Sequence, residues 1–150
     1  MLSKEEMWQA FCLANNLDIN TKHDSFKFCG GGSIGDKLAN LVKDGVKTAT
    51  SSAKLGYDIE NEPLPQVGDL SIILYGDESA ACIIEETSVS IVPFNKVSSQ
   101  HAYKEGEGNR SLKQWQELHR DFFSLEYKEY GSTFDENADC VLEEFKVVYK

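Results

Sequence analysis

Residues that commonly hold metals or crosslinks are scarce in this sequence. Four cysteines are present, and none has a second cysteine at the close spacing of a zinc motif. The three histidines do not complete a set of zinc ligands with them. We therefore predict no metal site, no cofactor and four reduced thiols, those of Cys12, Cys29, Cys82 and Cys140.

Long apolar segments are absent as well. No apolar run approaches the ~20 residues that cross a bilayer, and the first residues lack the basic and apolar regions of a signal peptide. These absences predict a cytoplasmic protein with no membrane partner. The length of 150 residues predicts one domain over residues 1–150, with residues 1–24 as a helical extension packed on it.

Positive charge is limited: 15 Lys and Arg stand against 25 Asp and Glu, a net charge of −10. Such a chain is poorly suited to long RNA or DNA, because that binding relies on cations that neutralise phosphates. Residues 37–57 are the exception, since four lysines against one aspartate give a local charge of +3. This local charge suits a small anionic or polar ligand, while the oligomeric state stays open.

Periodicity predicts three helices and a sheet. The helices are residues 4–15 with Ser3 as cap, a second between Ser33 and Gly45, and residues 112–127 after Ser111. Strands are predicted at 70–75, at 80–92 as one strand or two, and at 140–149. This order predicts an α+β fold, with a small mixed, barrel-like sheet flanked by helices. The apolar face predicted for the third helix comprises Leu112, Trp115, Leu118, Phe122 and Leu125.

The segment from Gly45 to Ser52, GVKTATSS, places Lys47 among hydroxyl residues just after a helix-ending glycine. Glu105-Gly106-Glu107-Gly108, far along the chain, offers the carboxylates that a reactive lysine site needs. Lys47 and Thr50 are three residues apart, so on a straight strand they face opposite sides. A joint role therefore requires a turn or bulge, and the sequence leaves open whether Lys47 and Glu105 meet.

These two segments resemble the ASCH domain family over about residues 25–150. The resemblance also rests on Tyr57, on Val67-Gly68-Asp69, and on the run from Ala102 through Ser111-Leu112, Trp115 and His119 to Phe122-Phe123. It implies a small β-barrel related to the PUA RNA-binding domain, with helices outside it. It also implies RNA or nucleoside chemistry, since similar members include ribonucleases and hydrolases that deacetylate the exocyclic amine of modified cytidine.

In the deacetylating members, the working residues match Lys47, Thr50 and Glu105 of this sequence. The resemblance implies that Thr50 is the nucleophile, that Lys47 is its base, and that Glu105 shuttles a proton or positions water. A lysine acts as a base only where its surroundings lower its pKa from ~10.4. Five residues are expected to bind the substrate: Thr48, Ser51, Tyr57, Glu107 and Asn109.

Two other functions remain open. In a ribonuclease, Lys47 would stabilise the phosphorane charge, with Tyr57 or Ser51 assisting proton transfer. In a non-catalytic module, the pocket would only bind RNA or a nucleotide. The charge of −10 favours the nucleoside hydrolase. Val46 and Asn109 depart from many relatives, which carry a basic residue and an aspartate there. The expected ligand is a nucleoside, a nucleotide or a short single-stranded RNA.

The same residues also have structural interpretations. Lys47 and Glu105 could form a salt bridge that closes one end of the barrel, and Glu107 could bond to amides of a glycine turn. Trp115 lies at helical spacing and is expected in the core, although a tryptophan at a pocket rim could stack on a base. His119, one helical turn later, fits a buried hydrogen-bonded residue better than a base, and the role of His101 is open.

Overall fold

A five-stranded mixed sheet forms the centre of the computed structural model, which describes residues 1–150. The strands are β1 Asp24–Phe26, β2 Ala49–Ala53, β3 Leu70–Leu74, β4 Ala80–Pro93 and β5 Asp139–Tyr149. Their order is β1-β3-β4-β5-β2, with β1 parallel to β3 and every other pair antiparallel. Irregularities in the β3–β4 and β4–β5 ladders bend the sheet into a half-barrel.

Five α-helices surround this sheet, and the predicted α+β class is confirmed. They are α1 Lys4–Asn15, α2 Gly32–Lys43, α3 Lys54–Glu60, α4 Ser99–Glu105 and α5 Leu112–Glu129. Short 3-10 turns occupy Phe28–Gly30 and Phe94–Lys96. No helix has both the length and the apolar character needed to cross a bilayer.

Three apolar clusters fix the helices on the sheet. α1 packs Met7, Trp8 and Phe11 against one face of β3 and β4, and α2 packs Leu38 and Val42 against the opposite face of these strands. α4 and α5 cover the β5–β2 end through a third cluster. This third cluster holds α4 and α5 beside β2, where the candidate residues lie.

Helix α1 is confirmed at its predicted bounds. Its capping box is complete, because the Ser3 amide donates to Glu6 Oε2 at 2.8 Å and the Glu6 amide donates to Ser3 Oγ at 3.1 Å. The predicted cap of α2 is wrong. That helix begins at Gly32, and Gly31, with φ of 97°, precedes it, so Ser33 lies inside the first turn.

The predicted apolar face of α5 is correct for Leu112 and Trp115 and wrong for its other three residues. Leu118, Phe122 and Leu125 are exposed, whereas Trp115 and Phe123 are buried. The buried stripe follows an i, i+4 spacing that includes a polar member, and its residues are Trp115, His119, Phe123 and Tyr127. Because His119 interrupts the apolar pattern of the buried stripe, the exposed leucine and phenylalanine residues formed the more continuous apolar pattern in the sequence.

Four short elements lie outside the predicted helices and strands: β1, β2, α3 and α4. Helix α4 has only seven residues and is capped by Ser98, whose Oγ accepts from the His101 amide at 3.1 Å. Two of its three buried residues, His101 and Glu105, are polar. The periodicity of apolar residues therefore could not predict α4.

Candidate functional site

Lys47 is buried in the loop that joins α2 to β2, with only 2% of its surface exposed. Gly45, with φ of 76°, reverses the chain after α2, so the Val46 and Lys47 amides both donate to Leu41 O, at 2.9 and 3.0 Å. The Thr48 amide then donates to Lys104 O at 2.8 Å. The loop is therefore fastened to α2 and to the end of α4.

Two carboxylates surround the Lys47 ammonium. Its Nζ lies 2.9 Å from Glu107 Oε2 and 3.6 Å from Glu105 Oε1, and it donates to Glu105 O at 3.4 Å. The Phe28 ring centroid lies 5.5 Å from the same nitrogen. The structure thus brings Lys47, Glu105 and Glu107 into one cluster.

Gly106 allows this approach. Its φ is 73°, and a Cβ at this position would lie 2.7 Å from Val46 O. Only glycine combines that backbone conformation with that proximity. The end of α4 can therefore lie directly against the loop that carries Lys47.

Glu105, 2% exposed, is the hub of the cluster. Its Oε2 accepts from Trp115 Nε1 at 2.6 Å and from Ser51 Oγ, and it faces His101 Nε2 at 3.0 Å. Its Oε1 lies 3.6 Å from both Lys47 Nζ and His119 Nε2. One carboxylate thus joins β2, α4, α5 and the Lys47 loop.

The pKa of Glu105 reflects this environment. Burial raises the pKa, but hydrogen bonds from His101 and His119 and the charge of Lys47 outweigh it and hold the pKa well below its usual range. Glu105 is therefore ionised at neutral pH. It can accept a proton during a reaction, but it does not start with one to donate.

Ser51 and His101 do not reproduce a serine-protease relay. His101 Nε2 faces both Ser51 Oγ, at 2.9 Å, and Glu105 Oε2, at 3.0 Å. A relay uses the two ring nitrogens separately, one toward the nucleophile and one toward the carboxylate. The Ser51 hydroxyl instead contacts the carboxylate directly.

Thr50 and Ser51 occupy opposite faces of β2. Thr50 pairs with Glu143 of β5, whereas Ser51, on the alternate face, contacts Glu105. The two side-chain contacts of Lys47 Nζ are with Glu105 and Glu107, and no hydrogen bond joins it to Thr50. The structure therefore places Ser51, and not Thr50, against the hub.

The other expected ligand-binding residues are spread around this cluster. Thr48 Oγ1 donates to Lys104 O at 3.5 Å, beside the hub. Asn109 Oδ1 accepts from the Ser111 amide at 2.9 Å and thereby forms the turn before α5. Tyr57 lies on α3, where its hydroxyl accepts from Ser52 Oγ at 3.4 Å and where burial raises its pKa. Asn109 and Tyr57 do not contact Lys47.

Trp115 is a core residue. Its ring stacks on His119, with centroids 4.2 Å apart, and on Phe94 at 5.3 Å. Its Nε1 is committed to Glu105. The ring is therefore not available at a pocket rim to stack on a base.

A cleft of about 320 Å³ opens beside the Lys47 loop. It lies between the end of α2 and the end of β5. Four lysines line it against a single aspartate, Asp44, and they are Lys43, Lys47, Lys146 and Lys150. This cleft is a concentration of positive charge on an acidic protein.

Sequence reasoning left the role of His101 open and did not single out Glu86 and Glu143. His101 and Glu105 are spaced i, i+4, which places both on one face of α4, but only if that segment is known to be helical. Glu86 and Glu143 lie in strands, where acidic residues usually face solvent. The one available signal was that Glu143 shares its strand face with Val141 and Phe145.

The comparisons with known proteins agree on one family. The family model of the ASCH domain matches residues 24–149. The crystal structure of an ASCH domain from Lactobacillus crispatus JV V101 is 37% identical, with a TM-score of 0.87, and the match covers 99% of this chain and 97% of that one. A search of the curated proteins finds no match.

Two further solved structures are similar. Protein EF3133 from Enterococcus faecalis V583 is 37% identical with a TM-score of 0.86, and the match covers 95% of this chain and 86% of that one. The hypothetical protein PH0355 is 14% identical with a TM-score of 0.54, over 84% of this chain and 97% of that one. The PH0355 likeness shows the fold alone.

Proposed function

Because this chain belongs to the ASCH domain family, which has a PUA-like fold, we propose that it is a hydrolase that removes an acyl group from the exocyclic amine of a modified cytidine. The observation that carries the proposal is the buried Lys47, held between Glu105 and Glu107. Burying Lys47 together with Glu105 is costly, and apolar residues could fill the same space at least as stably. Chemistry is a reason to keep them.

The charge arrangement supports a role for each group. Lys47, between two carboxylates, enters the reaction as an ammonium, which stabilises the oxyanion of the tetrahedral intermediate and gives a proton to the leaving amine. This role replaces the base expected from the sequence. Glu105 enters as a carboxylate and accepts the proton of the attacking hydroxyl. The C–N bond breaks, and water then hydrolyses the acyl-enzyme ester to release the carboxylic acid.

Two hydroxyls compete for the role of nucleophile. The family resemblance favours Thr50, whereas the contact with Glu105 favours Ser51. Thr50→Val and Ser51→Ala each remove one hydroxyl with little change in volume. We expect the nucleophile's variant to lose turnover by at least ~10³-fold, and the other variant to change it by less than about tenfold.

The test is release of acetate from N4-acetylcytidine, followed chromatographically for the wild type and Lys47→Met. Turnover by the wild type alone supports the proposal. Lys104→Met is the matched control, because it removes an exposed lysine whose partner, Glu144, lies outside the cluster. Equal turnover by wild type and Lys47→Met would refute the role of Lys47, and no turnover by the wild type would refute this activity.

A second candidate, a ribonuclease, is favoured by the lysine-lined cleft. Phosphate groups of a short single-stranded RNA would lie against Lys43, Lys146 and Lys150, next to Lys47. Cleavage of such an RNA by the wild type, and its loss in a Lys43→Gln, Lys146→Gln double variant, would support this function. Unchanged acetylcytidine turnover in that variant would show that the two activities are separable.

A further inference from the structure

Two acidic side chains, Glu86 of β4 and Glu143 of β5, are neighbours inside the half-barrel. Glu86 lies opposite Phe145 in the β4–β5 ladder, so Glu143, two residues before Phe145, is its diagonal neighbour on the same face. The ladder shifts register between Glu86 and Ser88. Such bulges commonly re-aim side chains beside binding sites.

One oxygen of this pair has no partner. Glu86 is 5% exposed, and its Oε2 is buried without a hydrogen bond. Burial, followed by a hydrogen bond with Glu143, raises the pKa of Glu86 to about 9, and burial also raises the pKa of Glu143. Glu86 therefore carries a proton at neutral pH and can donate a hydrogen bond.

The groups around the pair define what it can bind. Asp69, from the turn before β3, raises the pKa of both carboxyls, whereas Lys47 lowers that of Glu143, and both carboxyls raise the pKa of the Tyr57 hydroxyl. Glu62 contributes a further negative charge near Tyr57. No group of three or more His, Cys, Asp or Glu side chains is placed to hold a metal ion. An organic ligand is therefore the better candidate for the unpartnered oxygen.

We propose that Glu86 and Glu143 bind the edge of a nitrogen heterocycle that carries a ring nitrogen next to an N–H group. The protonated Glu86 offers an O–H donor, and a carboxyl oxygen of Glu143 offers an acceptor. The donor matches the ring nitrogen, and the acceptor matches the N–H. Cytosine presents this edge, and an acylated exocyclic amine keeps its N–H, so this site would orient the base. The assignment to cytosine depends on the proposed function.

A purely structural role explains this pair poorly. Glu86 shares its strand face with Ile84 and lies opposite Phe145, both of which are in the apolar core. A valine would fill this position without a buried unpartnered oxygen, which costs free energy. Local costs of this kind are expected at functional sites.

The test uses 2-aminopyridine, which carries the proposed edge, and 2-methylpyridine, which has the same shape without the N–H. We would follow amide chemical shifts of the full chain during each titration. The site predicts saturable shifts around residues 57, 86 and 143 with 2-aminopyridine, and affinity at least tenfold weaker with 2-methylpyridine. Equal affinity for the two probes, or shifts elsewhere only, would overturn the assignment.

Glu86→Val should weaken 2-aminopyridine at least tenfold. The control is Glu85→Gln, which alters the adjacent carboxylate that pairs with Lys146 at 3.4 Å, and it should stay within twofold of the wild type. Glu143→Met is a second test, since it removes the oxygen acceptor, and at least tenfold weaker binding is expected. Wild-type affinity in Glu86→Val would exclude the site.

Acetylcytidine turnover separates this inference from the proposed function. If the wild type does not hydrolyse acetylcytidine but binds 2-aminopyridine through Glu86, the hydrolase fails and the site stands. If the wild type is active and Glu86→Val keeps both its KM and its affinity for 2-aminopyridine, the hydrolase stands and the site fails. A raised KM with little change in kcat is the result expected if both are right.

Discussion

At the scale of single residues, the molecule concentrates its buried charge at two places. Lys47 forms ion pairs with Glu105 and Glu107, whereas Glu86 lies beside a second acidic residue, Glu143, and has no ion-pair partner. In the Lys47 cluster, each buried charged group has ion-pair or hydrogen-bond partners, and these contacts hold the neighbouring side chains in place. Glu86 keeps an unpartnered oxygen. The two places should therefore respond in opposite ways to removal of charge.

For the Lys47 cluster, we expect Lys47→Met to lower the free energy of unfolding by about 3–5 kcal/mol, because it leaves two carboxylates facing each other without a cation. Urea unfolding followed by fluorescence measures this change. The exposed-pair control Lys104→Met should cost less than about 1 kcal/mol. Adding Glu107→Gln to Lys47→Met should recover part of the lost free energy of unfolding. If the effects of the two substitutions simply added, Lys47 and Glu107 would not be coupled.

At the scale of secondary-structure elements, the docking of α4 on the Lys47 loop depends on Gly106. Gly106→Ala would place a Cβ 2.7 Å from Val46 O in a left-handed conformation, so we expect a loss of about 2 kcal/mol or more. Gly45→Ala is the matched control, since Gly45 has a similar φ of 76° and open space around it. It should cost about 1 kcal/mol, and thermal unfolding of both variants compares them. Equal losses would show that the close approach does not matter.

The elements also show what the sequence could and could not predict. α1 was predicted from its capping box, and β5 from the alternation of Val141, Phe145, Val147 and Tyr149 with other residues, although both faces of the strand are buried at its start. α4 could not be predicted, since His101 and Glu105 are buried by hydrogen bonds that reach Ser51 and Trp115. The candidate site was also predicted only in part. The family resemblance identified Lys47 and Glu105, but only the fold shows which hydroxyl contacts them.

At the scale of the whole molecule, stability should depend on pH in two separate windows. The folded-state pKa of Glu105 is lowered, so its contribution is present above the unfolded pKa of about 4.3 and is lost as the pH falls through the folded value. Glu105→Gln should be less stable than the wild type at pH 7, with a difference that shrinks in acid. Equilibrium urea unfolding between pH 2 and pH 7 measures it, and a constant difference would contradict this account.

Glu86 should act in the other direction. Its folded-state pKa is raised to about 9, so the folded protein holds a proton that the unfolded chain releases, and stability falls as the pH rises from about 4.5 to about 9. Glu86→Gln, which stays neutral, should remove this slope and be more stable than the wild type at pH 8. Thermal unfolding between pH 5 and pH 9 tests this, with Glu85→Gln as the control. Parallel curves for wild type and Glu86→Gln would contradict it.

The sheet order has a consequence for how the protein is made. β2 is an edge strand whose only partner is β5, through pairs such as Ala49 with Glu144 and Ala53 with Cys140. While the chain emerges from the ribosome, β2 must wait, unpaired, until the last of the five strands has been synthesised. β2, with Ser51, therefore takes its place only after β5 has been synthesised, and a nascent chain that lacks β5 carries every candidate catalytic residue without an assembled site.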